Sequence, residues 1–264
     1  MHPYILDLGF FKLPAYGLMA MTGFLAAFFY LRCYRERAGV SGESVSDLAF
    51  YALLGGLLGG KLLFIATFWD SFGGGAWERL LGALKSVQYG FVFYGGLAGG
   101  ASALWYWARR NGSSFAAAAD FTAPALALAH GFGRIGCLLA GCCHGSPAHG
   151  APGVVFSDPM CLVEPALLGV PLHPVQLYES IGNFLIFGVL HLAWKRKSRP
   201  GTGTVTALYA LLYSALRFGL EFLRGDDRGG LTAGLSQAQF IALAAAAGAA
   251  AWLVFSARRK ENGK

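Results

Sequence analysis

Apolar stretches of about 20 residues recur along the whole chain, separated by segments that collect glycine, proline and charge. A bilayer core about 30 Å thick is crossed by roughly 20 apolar residues in helical form. The pattern predicts seven membrane-spanning helices, at 14–32, 47–67, 91–108, 116–138, 175–194, 203–223 and 237–256. The expected fold class is therefore all-α and polytopic, with residues 1–264 forming a single integral-membrane domain. Two connecting segments are longer than the rest. Segment 68–90 is Gly-rich and carries Trp69 and Trp77, residue types that anchor at the membrane interface. Segment 139–174 is Pro-rich, and its length points to a lid or functional loop rather than a bare connector.

Within the spans, the runs Gly55 to Gly60 (GGLLGG) and Gly95 to Gly100 (GGLAGG) each hold two overlapping GxxxG spacings. Such spacing lets helix backbones approach closely in lipid, so close packing is the expected role. The flanks of the two runs differ, and no internal repeat follows.

Composition sharpens this picture. Hydrophobic residues make up 55% of the chain and charged residues 13%, with a mean hydropathy of +0.50. Soluble domains carry roughly 25% charge, which excludes a soluble fold. The net charge of +7 has a topological reading rather than a nucleic-acid one. Most basic residues fall in the loops after the first, third and fifth spans (Arg32, Arg35, Arg37; Arg109, Arg110; Lys195, Arg196, Lys197, Arg199) and in the tail (Arg258, Arg259, Lys260, Lys264). Lys12, Arg79, Lys85 and Arg228 fall on the other side, diluted by acids. The positive-inside rule then places the N-terminus outside and the C-terminus in the cytoplasm. No small-residue cleavage site follows the first span, so no cleavable signal peptide is expected.

Against this apolar background the buried charges stand out. Arg217, Glu221 and Arg224 follow one another at i, i+4 and i+7, one stripe if the helix runs through them. Arg134 lies in the run His130 to Cys137 (HGFGRIGC). Ionisable groups inside a membrane usually face a polar cavity and carry function. With the topology above, Lys61, Arg134, Arg217, Glu221 and Arg224 fall in the outer halves of outward-running spans. Tyr16, Tyr94 and the run His173 to Glu179 (HPVQLYE) fall at the outer starts of inward-running ones. All share one depth, near the outer leaflet. Guanidinium groups there suit a phosphate, through bidentate hydrogen bonds and a charge that survives burial. A phospholipid head group or another phosphorylated amphiphile is the expected ligand. The competing reading makes Arg217 and Glu221 an internal ion pair.

Five cysteines, Cys33, Cys137, Cys142, Cys143 and Cys161, cannot all pair within one chain. Zinc accepts cysteine and histidine ligands. However, the Cys137, Cys142, Cys143, His144 spacing is uncommon for zinc, and adjacent cysteines rarely serve one ion. Packing of small polarizable side chains is expected and no metal is assigned. A disulfide through Cys161 stays open if this loop faces an oxidising side. His173 orients the outer loop or acts as an acid or base, whereas His191 is expected to be structural.

Five stretches, in order, resemble prolipoprotein diacylglyceryl transferases. They are Tyr16 to Met19 (YGLM), Tyr94 to Leu97 (YGGL), Gly133 to Gly136 (GRIG), His173 to Glu179, and Tyr213-x3-Arg217-x3-Glu221-Phe-x-Arg224. The resemblance covers nearly the whole chain. It departs where better-known members continue the signature as Gly-Asn-Phe-x-Asn-x-Glu. Here Cys137, Ala140 and Cys142 stand at the Asn, Asn and Glu positions, and Tyr94 stands where some members carry a histidine.

The resemblance implies a multi-pass enzyme of the bacterial inner membrane with its active site toward the periplasm. It implies transfer of the diacylglyceryl group of phosphatidylglycerol to the lipobox cysteine thiol beside a prolipoprotein's signal helix, with release of glycerol-1-phosphate. It assigns catalysis to Arg134, Arg217, Tyr94 and His130. It assigns phosphatidylglycerol binding to Arg134, Arg217, Arg224, Glu221, Tyr16, Tyr213 and His173. The expected partners are phosphatidylglycerol, prolipoprotein signal peptides and membrane lipid, with no cofactor and no nucleic acid. His130, His173, an ionised phosphate or water would take the thiol proton. An anionic-solute transporter and a non-catalytic lipid-binding relative are the rival readings.

Overall fold

A computed structural model describes residues 3–9, 12–86, 90–150, 152–196, 201–225 and 234–261. Lys197, Arg199, Arg228 and Lys264 of the charge argument lie outside the described residues, as do the side chains of Arg259 and Lys260. The molecule is mostly helical, with a helix at each expected span. These are α1 (Ala15–Tyr34), α2 (Gly42–Thr67), α4 (Phe93–Arg110), α5 (Phe115–Ala140), α6 (Val175–Arg196), α7 (Thr204–Glu221) and α8 (Gln237–Glu261), with a further helix α3 (Ala76–Lys85). Five of them, α1, α2, α5, α6 and the Gln237–Arg258 part of α8, are long and apolar enough to cross a membrane. The other two at span positions, α4 and α7, are 18 residues each. Arg217 and Glu221 lower the hydropathy of α7.

The chain packs as two compact units, 32–118 and the remainder, where the sequence reading treats 1–264 as one domain. In the unit 32–118, Ser41 caps α2 by accepting from the Ser44 amide at 3.1 Å. The two glycine runs pack α2 against α4 backbone to backbone. A Cβ added at Gly99 would sit 2.0 Å from the Gly55 carbonyl oxygen, and one at Gly59 would sit 2.3 Å from that of Gly95. Close packing, the expected role of these runs, is what the structure has. Segment 68–90, expected as a Gly-rich connecting loop, contains α3. The amides of Gly74 and Gly75 donate to Glu78 Oε2 at 3.1 and 3.2 Å, so the glycine turn is closed by the first turn of α3. Trp77 is exposed on that helix.

The other unit is built on α1 and α5 to α8. Two glycines let α1 lie along α5. A Cβ at Gly23 would meet the Ala129 carbonyl at 2.8 Å, and one at Gly136 would meet Tyr16 at 3.1 Å. Between α5 and α6, Gly131 accommodates Phe184, and the Ser180 hydroxyl donates to the Gly131 carbonyl at 2.9 Å. Asp120 of α5, fully buried, accepts from the amide and hydroxyl of Thr206 at 3.0 and 3.2 Å. It thereby satisfies an otherwise orphaned N–H at the start of α7 and complements the helix dipole. Tyr30 of α1 pairs with His191 Nδ1 of α6 at 3.0 Å.

The N-terminus forms an antiparallel hairpin, β1 (Tyr4–Asp7) with β2 (Lys12–Pro14). Segment 139–174 carries a second short ladder, β3 (Val154–Val155) with β4 (Pro171–Leu172). Phe156, Cys161, Val163 and Leu172 form a small core beneath that ladder. This segment is therefore a folded cap. An isolated bridge pairs Pro147 with Leu172 inside the cap, and a second, between Gly145 and Arg224, ties the cap to the residues after α7.

Candidate functional site

One carboxylate organises the polar interior of this larger unit. Glu179, on the second turn of α6, is fully buried. Its Oε1 lies 2.9 Å from Nη2 of Arg134 on α5 and 3.7 Å from Nε2 of His130, one helical turn earlier. The hydroxyl of Tyr213, on α7, donates to the same oxygen at 2.9 Å. His130 Nδ1 lies 3.4 Å from the Tyr209 hydroxyl, and its ring packs on Tyr213 at 4.9 Å. Three helices thus converge on one anionic oxygen. A buried charge in so apolar a setting is tolerated only when paired and hydrogen-bonded.

Glu179 stands in the motif His173 to Glu179, yet the sequence reading gave it no role. An acidic side chain within an apolar span was signal enough to single it out. Tyr213, expected to hydrogen-bond lipid oxygens, has its hydroxyl committed to Glu179.

The second cationic group is Arg217, four residues beyond Tyr213 and nine-tenths buried. Its guanidinium pairs with Glu221 in the i, i+4 register foreseen from sequence. Glu221 is held in turn by the Ser236 hydroxyl at 2.7 Å. Nη2 of Arg217 is buried with no hydrogen-bond partner among the described residues. Arg217 also lies within electrostatic reach of His130.

The i+7 member of the stripe departs from expectation. Helix α7 ends at Glu221, and Arg224 follows in a turn, paired through its backbone with Gly145 of the cap. Gly225, next in the chain, approaches the Gly145 carbonyl so closely that a Cβ there would lie 2.7 Å from it.

Tyr16, at the start of α1, packs on Gly136 of α5 and lies within electrostatic reach of Arg134. His173 precedes α6, with its backbone bonded to the cap through Ser146 and Gly145. Its Nδ1 is buried without a partner among the described residues.

Cys137, Cys142 and Cys143 bring their Sγ atoms within 4.8 Å of one another. None of the five cysteines is in a disulfide. Hydrogen bonds from Cys137 and Cys142 hold the Cys143 thiol far below its usual value, while bonding to Cys137 and Cys143 pushes Cys142 up. Arg134 and Arg224 add to the effect on Cys143.

Tyr94 and Lys61 belong to the unit 32–118. Tyr94, near the start of α4, is 53% exposed. The Lys61 ammonium donates to the carbonyl and, at 2.8 Å, to the hydroxyl of Ser86, and it lies over the Phe64 and Phe91 rings.

Comparison with known proteins agrees with this chemistry. The family model for prolipoprotein diacylglyceryl transferase matches residues 3–255. A phosphatidylglycerol–prolipoprotein diacylglyceryl transferase of Clostridium tetani is 36% identical over 246 residues, 92% of this chain and 93% of that one. A second, from Clostridium perfringens, is 35% identical over 88% of this chain and 86% of its own length. A third, from Pseudoalteromonas atlantica, is 33% identical over 98% of this chain and 90% of its own. With a full-length match, helices at every expected span and paired arginines in an apolar interior, the chain belongs to the prolipoprotein diacylglyceryl transferase family.

Proposed function

We propose that this protein transfers the diacylglyceryl group of phosphatidylglycerol to the lipobox cysteine thiol of a prolipoprotein, releasing glycerol-1-phosphate. The observation that carries this reading is the pair of buried guanidinium groups, Arg134 and Arg217, in a chain that matches transferases along its whole length. The reaction is a displacement at carbon. The substrate sulfur forms a bond to the glyceryl carbon, the C–O bond to phosphate breaks, and the leaving phosphate carries away the electron pair.

Negative charge grows on the departing phosphate, and fixed cations aimed at it lower the barrier. Arg217 is suited to this contact, since one face of its guanidinium is spoken for by Glu221 while Nη2 is not. Arg134, anchored by Glu179, holds its orientation before substrate arrives, so little reorganisation accompanies the reaction. Arg224, Tyr16 and His173 belong to the phosphatidylglycerol-binding set in this reading. His130 is the proposed proton acceptor nearest the arginines, and Tyr94 is proposed for catalysis on the resemblance of its Tyr-Gly-Gly-Leu run alone.

The same reading runs seven spans through a bacterial inner membrane, with the N-terminus and the cap of residues 139–174 on the periplasmic side. The distribution of basic residues supports that orientation. It also presents the prolipoprotein signal helix to the chain from within the membrane.

Complementation tests the proposal. A bacterium depleted of its own diacylglyceryl transferase and supplied with this chain should grow and label a reporter lipoprotein with radioactive palmitate. Full membrane insertion without labelling would reject the activity.

A further inference from the structure

Cys137, Cys142 and Cys143 converge although two of them are adjacent in sequence, and the backbone explains how. Helix α5 ends at Ala140, three residues after Cys137. Gly141 then takes a left-handed conformation, φ +76°, which turns the chain back over the last helical turn, and the Cys142 amide bonds to the Cys137 carbonyl at 3.1 Å. Neighbouring side chains ordinarily point apart, which argues against two adjacent ligands for one ion. Cys143 removes that objection. It is the one non-glycine residue with positive φ among the described residues, at 59°. Such a conformation is uncommon outside glycine, asparagine and aspartate, and it is stored where the surroundings require it. Its effect here is to bring a third Sγ to the other two, all within 4.8 Å.

We propose that these three cysteines form a binding site for a thiophilic metal ion, of which divalent zinc is the type. With a Zn–S bond of about 2.3 Å, tetrahedral thiolates stand roughly 3.8 Å apart, so the observed cluster needs only a small contraction. Three thiolates around a divalent cation leave a net negative charge. Arg134 and Arg224, both within electrostatic reach of Cys143, offset it. Cysteine sulfur selects soft or borderline ions over magnesium or calcium. Three protein ligands leave a fourth coordination position open, and the bound ion would pin the cap to the last turn of α5. Cys33 and Cys161 lie outside the cluster.

The test uses the full chain in detergent, reduced, stripped with a chelator and desalted. Cobalt added as a spectroscopic probe should give a thiolate-to-metal charge-transfer band that saturates at one equivalent and is bleached by zinc. Zinc should also protect Cys137, Cys142 and Cys143, but not Cys33, from iodoacetamide, read residue by residue by mass spectrometry. This arm needs no variant and is independent of lipidation. Replacing Cys137 or Cys143 by Ser should weaken zinc binding at least tenfold, whereas Cys33→Ser should leave it unchanged. The site is rejected if no charge-transfer band forms, if zinc leaves the alkylation pattern unaltered, or if the protein as isolated holds a disulfide joining two of the three.

Discussion

Glu179 and Arg134 form an ion pair of 2.9 Å between α6 and α5, with no solvent reaching the carboxylate. Removing one partner of such a pair strands the other, at a cost of about 3–5 kcal/mol. Glu179→Gln should therefore lower the melting temperature of the detergent-purified protein and depress lipidation together. Adding Arg134→Gln should recover part of the stability and none of the activity, since both neutral amides tolerate burial better than one orphaned charge. Strict additivity of the two losses in a double-mutant cycle would show that the pair is not coupled.

Arg217 has a different part. Its charge is balanced by Glu221 one turn away, and Nη2 lies buried without a partner among the described residues. Losing one fixed donor aimed at developing charge costs roughly 100- to 1,000-fold in rate. Arg217→Gln should reduce lipidation by that order while membrane insertion, read by fractionation, stays at the level of the parent. Near-parental lipidation would remove Arg217 from the reaction.

Much of this was legible from the sequence because lipid makes charge expensive. Arg134, Arg217 and Glu221 declared themselves by standing in apolar runs, and the i, i+4 spacing offered Glu221 as the Arg217 partner in the competing reading, which is the pairing the structure has. The pairing of Arg134 did not declare itself, since Glu179 is 45 residues away and reaches it only through the packing of α5 on α6. Arg224 leaves the stripe because α7 ends at Glu221 and Arg224 pairs instead with Gly145, 79 residues away in sequence, a long-range contact that the i, i+7 spacing does not show. The hairpin of β1 and β2 and the ladder in 139–174 escaped notice because short strands on a membrane protein leave no periodic run long enough to read. The hairpin's turn did leave a trace, for Asp7 accepts from the Gly9 amide at 3.0 Å, a local asparagine-type turn.

The packing of α2 on α4 makes a stability prediction with an internal control. A Cβ at Gly99 would fall 2.0 Å from the Gly55 carbonyl oxygen, a backbone atom that cannot swing aside, whereas nothing lies within 4 Å of one at Gly100. Gly99→Ala should destabilise the protein by about 1–3 kcal/mol through overpacking, seen as a lower melting temperature. Gly100→Ala should fall within about 0.5 kcal/mol of the parent. Equal effects at the two positions would mean that the helices do not meet along these glycines.

Cys142 and Cys143 supply a pH prediction in which chain position is held constant. Both are half-buried neighbours in the turn after α5, but their hydrogen bonds push them in opposite directions, Cys142 up and Cys143 down. The thiolate is the form that reacts with iodoacetamide. A thiol with a depressed pKa stays ionised as pH falls, and one with a raised pKa stays protonated as pH rises. In reduced, metal-free protein at pH 6–7, Cys143 should therefore alkylate well before Cys142, and the gap should narrow as the solution is made alkaline. Peptide mapping over a pH series gives both rates in one experiment. Faster modification of Cys142 at neutral pH would reverse the assignment of donor and acceptor within the cluster.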